Sequence, residues 1–289
     1  IALSSDGTSL LLDGTAIGGG GGSPTLYAES LSGATSPTAT GTNSVAIGSD
    51  AQATATNGSI AFGTATRASG NANAAIGYQA NAAGVGALAT GYLANAAADF
   101  STAVGRNAKT ATGGNATALT NSYASGSNSF AAAIANNTSS YGATGANSIA
   151  MGDRSSASGS RGIAIGGYGA LASGASSLAF GYQATANQSY ASGFGYASKA
   201  YGQYSWAGTQ SHASGLNSVA LGIGDTTTTY GAQHTSGVAI GYQAVTTADK
   251  QIALGSSTTP VKVSGAYTLP TADGTANQVL TTDGAGAVT

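Results

Sequence analysis

The stretch Asn43-Ser44-Val45-Ala46-Ile47-Gly48, continuing through Ala51-Gln52-Ala53 to Asn57-Gly58, decides the fold. Val45 and Ile47 alternate with Ser44, Ala46 and Gly48, a period of two that reads as a strand with small residues on one side and large ones on the other. Asp50-Ala51-Gln52-Ala53-Thr54 repeats the alternation in a second strand, and Asn57-Gly58 turns the chain into the next copy. Clear copies follow at Ser59–Gly63, Ser148–Gly152, Gly162–Gly166, Ser177–Gly181, Ser218–Gly222, Gly237–Gly241 and Gln251–Gly255. Weaker ones end at Gly77, Gly91, Gly105, Leu119, Ala133, Gly193 and Thr209. Fifteen anchors thus run from Gly48 to Gly255, most of them 14 or 15 residues apart. Self-similarity at a fixed period marks a solenoid, each copy supplying one coil of strand, corner, strand, corner.

A coil with two short strands has an interior wide enough only for Ala, Ser and Gly, which Ala46, Ala51 and Ala53 supply. The large residues must then face outward. Val45 and Ile47, Ile60 and Phe62, Ile149 and Met151, Ile163 and Ile165, Leu178 and Phe180, Val219 and Leu221, Val238 and Ile240, and Ile252 and Leu254 form one apolar stripe. A soluble monomer does not leave such a stripe in water. Copies of the same chain arranged cyclically would cover it, and spacing alone leaves their number open.

Composition narrows the function. Of 289 residues only 6% are charged and 7% aromatic, while glycine supplies 46, so a conventional globular core is not available. Disordered chains combine low hydrophobicity with high net charge. Here the formal charge is -2 and apolar residues recur on schedule, which indicates order. Eight scattered Lys and Arg make no basic stripe for nucleic acid. The absence of cysteine suits an oxidising, extracellular setting without requiring it. No apolar run approaches the ~20 residues of a membrane-spanning helix, so no membrane insertion by this chain is expected. A start at Ile1 reads as a piece, or a processed form, of something longer.

Asn43-Ser44-Val45-Ala46-Ile47-Gly48 with Ala51-Gln52-Ala53, and Asn147-Ser148-Ile149-Ala150-Met151-Gly152, resemble the head repeats of YadA-like trimeric autotransporter adhesins. The resemblance covers residues 41–255. It implies an all-β, left-handed parallel β-roll of three chains about one axis that binds host surfaces or matrix proteins. Tyr267-Thr268-Leu269-Pro270-Thr271-Ala272-Asp273-Gly274, with Asn277-Gln278-Val279-Leu280-Thr281-Thr282-Asp283-Gly284, is similar to segments of phage and virus tail-fibre proteins. That likeness shifts the expectation toward a virion or environmental attachment fibre, with a bacterial cell-surface adhesin as the other option. No heptads, coiled-coil stalk or membrane anchor accompany the repeats, so autotransport itself is not expected.

The flanks and the breaks in the beat complete the reading. Residues 1–40, with Asp6-Gly7, Asp13-Gly14 and the glycine run 18–22, read as a small β element and a linker; residues 41–255 form the array; residues 256–289 form a junction. Anchor intervals lengthen to 19 between 133 and 152 and between 222 and 241, where surface loops are expected. The second loop, from Ile223 to Tyr230, holds Asp225 and Thr226 to Thr229. Between Gly181 and Gly222 the register changes and Tyr190, Phe194, Tyr196, Tyr201, Tyr204 and Trp206 crowd together. These rings either stack on flat ligands such as sugars or pack on one another. With Tyr230 they are the expected binding residues. Tyr78, Tyr92, Tyr182 and Tyr242, each directly after an anchor glycine, read as corner packing.

Catalysis finds no footing. His212 and His234 are the only histidines and sit in no motif, Asp153 and Asp225 have no carboxylate partners, and no spacing suits a metal or another cofactor. The reading is therefore a non-enzymatic, extracellular, homotrimeric β-solenoid fibre of about fifteen coils that attaches to a host cell-surface glycan or protein. The alternative is a structural filament subunit that polymerises through its flanks.

Overall fold

A computed structural model describes residues 2–3, 10–12, 15–17, 35–134, 140–224, 229–256, 258, 262–263 and 267–268. All regular structure among them is β, and no helix is present. The chain divides into two compact units, Ile1–Ser148 and Ile149–Thr289.

In the first unit Ala2–Leu3, Leu10–Leu12 and Thr15–Ile17 form an antiparallel sheet in which Leu10 pairs with Ile17. The remainder is a parallel solenoid. One sheet, face A, stacks Val45–Ile47, Ile60–Phe62, Ala74–Ile76, Leu88–Thr90, Thr102–Val104, Thr117–Leu119 and Phe130–Ala132. The other, face B, stacks two-residue strands from Thr38–Ala39 to Gly142–Ala143. Each pairing joins equivalent residues of successive coils, so a side chain meets its counterpart one coil away: Val45 lies beside Ile60, and Asn81 beside Asn95.

The second unit has the same plan. Face A runs through Ile149–Met151, Ile163–Ile165, Leu178–Phe180, Ser192–Phe194, Trp206–Ala207, Val219–Leu221, Val238–Ile240 and Ile252–Leu254. Face B runs from Ser156–Ala157 through Leu171–Ala172, Thr185–Ala186 and Lys199–Ala200 to His212–Ala213. Lys262–Val263 and Tyr267–Thr268 form a separate antiparallel ladder.

The interior is as thin as the alternation requires. The middle residue of almost every face A strand, Ala46, Ala61 and Ala75 in the first unit and Ala150, Ala164 and Ala179 in the second, is fully buried. A buried serine opens many of the coils and closes its own corner: Ser101 Oγ donates to Ala98 O at 2.7 Å, and Ser218 Oγ to Gly215 O at 2.7 Å. Among the described residues two break the rule that large side chains face out: Ile134 and Ile223 are fully buried and are the largest fully buried side chains there. The expected surface loop therefore does not begin at Ile223, whose side chain fills the widened coil instead. Asp225 and Thr226 to Thr228 lie outside the described residues.

Corners are tight, and in most coils two residues besides the anchor glycine adopt left-handed backbone. Ala65 and Ala72 have φ of 55°, Leu93 has 56° and Phe100 has 54°. An L-residue loses about 1–2 kcal/mol in that region. Hydrogen bonds between coils hold it there: Ala72 N donates to Asn57 O at 2.9 Å and Phe100 N to Val85 O at 2.7 Å. Asparagine tolerates this conformation better than alanine. Replacing the exposed Ala72 by asparagine is therefore expected to raise stability by about 0.5 kcal/mol, part of that penalty, read as a higher thermal midpoint.

Candidate functional site

Face A places the predicted stripe on the outside. In the first unit Ile60 and Phe62 are 44% and 51% exposed, with Val45 and Ile47 half-buried on the same side. In the second, Met151, Phe180, Ile240, Ile252 and Leu254 are exposed, and Ile149, Ile163, Ile165, Leu178, Val219, Leu221 and Val238 are half-buried. Face B differs in kind. Its outward residues are Gln52, Arg67, Asn81, Asn95, Lys109 and Tyr123 in the first unit, and Ser156, Leu171, Thr185 and Lys199 in the second. Asn81 donates to Asn95 at 3.3 Å, and Lys109 lies 5.6 Å from the Tyr123 ring centre.

The aromatic residues between 181 and 222 do not form one cluster. Tyr190 and Tyr204 stack at the corner leading into face A, with ring centres 4.8 Å apart and planes 1° from parallel. Tyr196 stacks at the corner after face A on Tyr182, 5.4 Å away, and Tyr182 on Tyr168 at 5.9 Å; the Arg154 guanidinium lies 4.6 Å from the Tyr168 ring centre. Phe194 and Trp206 lie on face A itself, 5.7 Å apart. Gly208, two residues after Trp206, stands level with Phe194 in one neighbouring coil and Leu221 in the other; a Cβ there would stand 3.2 Å from the Leu221 side chain and 3.6 Å from the indole, which share that space. Tyr201 meets the edge of His212, a face B residue only 3% exposed. Each tyrosine–tyrosine stack follows from the coil length, because parallel pairing brings a residue beside the one 14 positions on.

Tyr230 borders a depression of about 300 Å³ lined also by Gln243, Val245, Gly255, Ser256 and Thr258. It belongs to an arrangement that the fourteen-residue beat conceals. Thr120-Asn121-Ser122 and Thr209-Gln210-Ser211, Ile134 and Ile223, and Tyr141-Gly142 and Tyr230-Gly231 all stand 89 residues apart (209 against 120, 223 against 134, 231 against 142). In the first unit Ile134 N donates to Ser122 Oγ at 3.3 Å; in the second Ile223 N donates to Ser211 Oγ at 3.2 Å. Gly142 and Gly231 have φ of 105° and 111°. A Cβ there would lie 2.1 Å from Tyr123 O and 2.0 Å from His212 O respectively. Each unit therefore carries one wide coil, plugged by an isoleucine and closed by a Tyr-Gly pair.

His234 Nδ1 lies 2.7 Å from Thr246 O, and Asp153 is an exposed corner residue. Among the described residues no three His, Cys, Asp or Glu side chains come together as metal ligands, and no helix is long and apolar enough to cross a membrane.

Residues 39–64, 74–94, 82–108, 143–168, 172–192, 207–224 and 235–258 match the YadA head domain repeat, just over half of the chain. The chain belongs to the YadA head domain repeat family. This makes it an adhesin-type head repeat, a class typically without enzymatic activity. No curated protein matches it. The stretches between the YadA head matches are informative. The gap 193–206 holds Phe194, Tyr196, Tyr201, Tyr204 and Trp206, and the gap 225–234 holds Tyr230, so every expected binding aromatic except Tyr190 lies where this chain departs from the family pattern.

Proposed function

We propose that the chain is the rigid head or shaft of an extracellular, homotrimeric attachment fibre, a left-handed β-roll without enzymatic activity, carried on a virion tail or a bacterial surface. One observation carries this reading: the core of each unit is built almost wholly from alanine, serine and threonine, while valine, isoleucine, leucine, methionine and phenylalanine line face A from outside. A stripe of that kind calls for cover, and a second and third copy supply it with identical surfaces. On this reading residues 41–255 are the β-roll, residues 1–40 and 256–289 are its junctions, and Phe194 and Trp206 belong to the covered stripe. Tyr190, Tyr196, Tyr201, Tyr204 and Tyr230 stay at corners and on face B, where a host glycan or protein is met. Weak contacts repeated three times gain strength through effective concentration.

Light scattering on the purified chain is the test. The expected mass is three times 27.4 kDa. A stable particle of one chain would end the proposal, and threads of indefinite length would favour the structural filament.

A further inference from the structure

Tyr190 and Tyr204 are the closest ring pair among the described residues, and they are 49% and 52% exposed. Their backbones are held alike: φ is 61° and 57°, Tyr190 N donates to Ala175 O at 2.9 Å and Tyr204 N to Ser189 O at 3.1 Å. The two Cα–Cβ bonds therefore leave successive coils in parallel, and both phenols reach the same patch of solvent. Three further tyrosine pairs repeat the arrangement: Tyr78 with Tyr92 at 5.3 Å, Tyr182 with Tyr196 at 5.4 Å and Tyr168 with Tyr182 at 5.9 Å. Competing sinks for an oxidant are few, since the chain has one Met, one Trp and no Cys.

We propose that the Tyr190–Tyr204 pair is an oxidative cross-linking site, at which a peroxidase and hydrogen peroxide join two successive coils through a dityrosine bond. Each phenol gives up one electron and one proton. The two phenoxyl radicals then couple between ring carbons ortho to oxygen, and loss of the two ortho hydrogens as protons, taken up again by the phenolate oxygens, restores both phenols. Overall two hydrogens leave the protein, and one peroxide becomes two waters. Coupling requires the stacked rings to turn about Cα–Cβ until their edges meet, and half-exposed side chains at a corner have room to do so. A chain without cysteine thereby gains a covalent staple between neighbouring coils. It would limit the freedom of the unfolded chain in the manner of a disulfide closing a short loop.

The experiment treats the full chain with peroxidase and hydrogen peroxide and maps the products after trypsin. Cleavage after Arg161, Lys199 and Lys250 puts Tyr190 in peptide 162–199 and Tyr204 in peptide 200–250. The expected product migrates as a single chain in denaturing gels, shows dityrosine fluorescence, and yields these two peptides joined at a mass two hydrogens below their sum. Tyr190→Phe keeps the stacked ring and removes the phenol, so the joined peptides are expected to fall to the level of the untreated protein. Denaturing urea is expected to cause the same loss in the unsubstituted chain. Undiminished joined peptides in Tyr190→Phe or in urea, or dityrosine found only in bands of two or more chains, would overturn the proposal.

Discussion

Gly84→Ala is expected to destabilise the first unit by about 3 kcal/mol or more, at the upper end of what overpacking costs, whereas Gly114→Ala is expected to be slightly stabilising. Neither glycine has a φ in the left-handed region, so space alone separates them. A Cβ at Gly84 would lie 2.0 Å from Ala98 O, 2.3 Å from Ala98 C and 2.8 Å from Asp99 N, all backbone of the next coil. That backbone cannot withdraw without breaking its own ladder: Ala83 N donates to Ala96 O at 2.9 Å and Phe100 N to Val85 O at 2.7 Å. At Gly114 the nearest atom, Asp99 O, would be 3.6 Å away, an ordinary contact. There the alanine removes freedom only from the unfolded chain, an effect worth about 0.4–1 kcal/mol in favour of folding. Urea midpoints of the two variants measure the difference. Equal midpoints would mean that the coils are not stacked at this spacing.

Residues 43–58 made the coil legible because two periods agree there. The alternation of Val45, Ala46 and Ile47 sets which side is inside, and the 15 residues from Gly48 to Gly63 set where the next coil begins. Ala46 and Ala61 are accordingly buried and Phe62 exposed. The tyrosine stacks were within reach of the same logic, since Tyr78 and Tyr92, Tyr182 and Tyr196, and Tyr190 and Tyr204 are each 14 apart. Counting aromatics by density between 181 and 222 hid that arithmetic and merged rings that belong to two corners and both faces. Ile134 and Ile223 were harder to read. Each follows a face A strand at a position that holds Thr64, Tyr78, Tyr92, Arg106 or Asp153 in other coils, and only the five extra residues of a 19-residue interval create the interior space that a large aliphatic fills. The left-handed corners could be inferred from residue type only where Asn or Gly holds them, as at Asn43, Gly58, Asn107 and Asn128. Leu93, Phe100 and Tyr190 are poor choices for that backbone, and hydrogen bonds between coils, which no local pattern announces, hold them in it.

If the chain assembles as the proposed homotrimer, Phe180→Glu is expected to reduce it from three chains to one, while Thr185→Glu, five residues away on face B, is expected to leave it intact. Phe180 lies 51% exposed on face A, in register with Ile165 on one side and Phe194 on the other. In a three-fold assembly a single substitution places three carboxylates in the covered stripe, with no cation among the neighbouring face A side chains. Burying charge without a partner costs more than the contacts of one phenylalanine return. Thr185 pairs in register with Leu171 and Lys199, so a glutamate there stays on a polar surface beside a cation. Trp206, the sole tryptophan, reports independently because it shares face A with Phe194. Its emission is expected to shift to longer wavelength when Phe180→Glu separates the chains and to stay unchanged in Thr185→Glu. Dissociation by Thr185→Glu with Phe180→Glu still assembled would place face B at the contact between chains. The alternation of large and small residues would then set the interior of the coil without setting the surface through which copies meet.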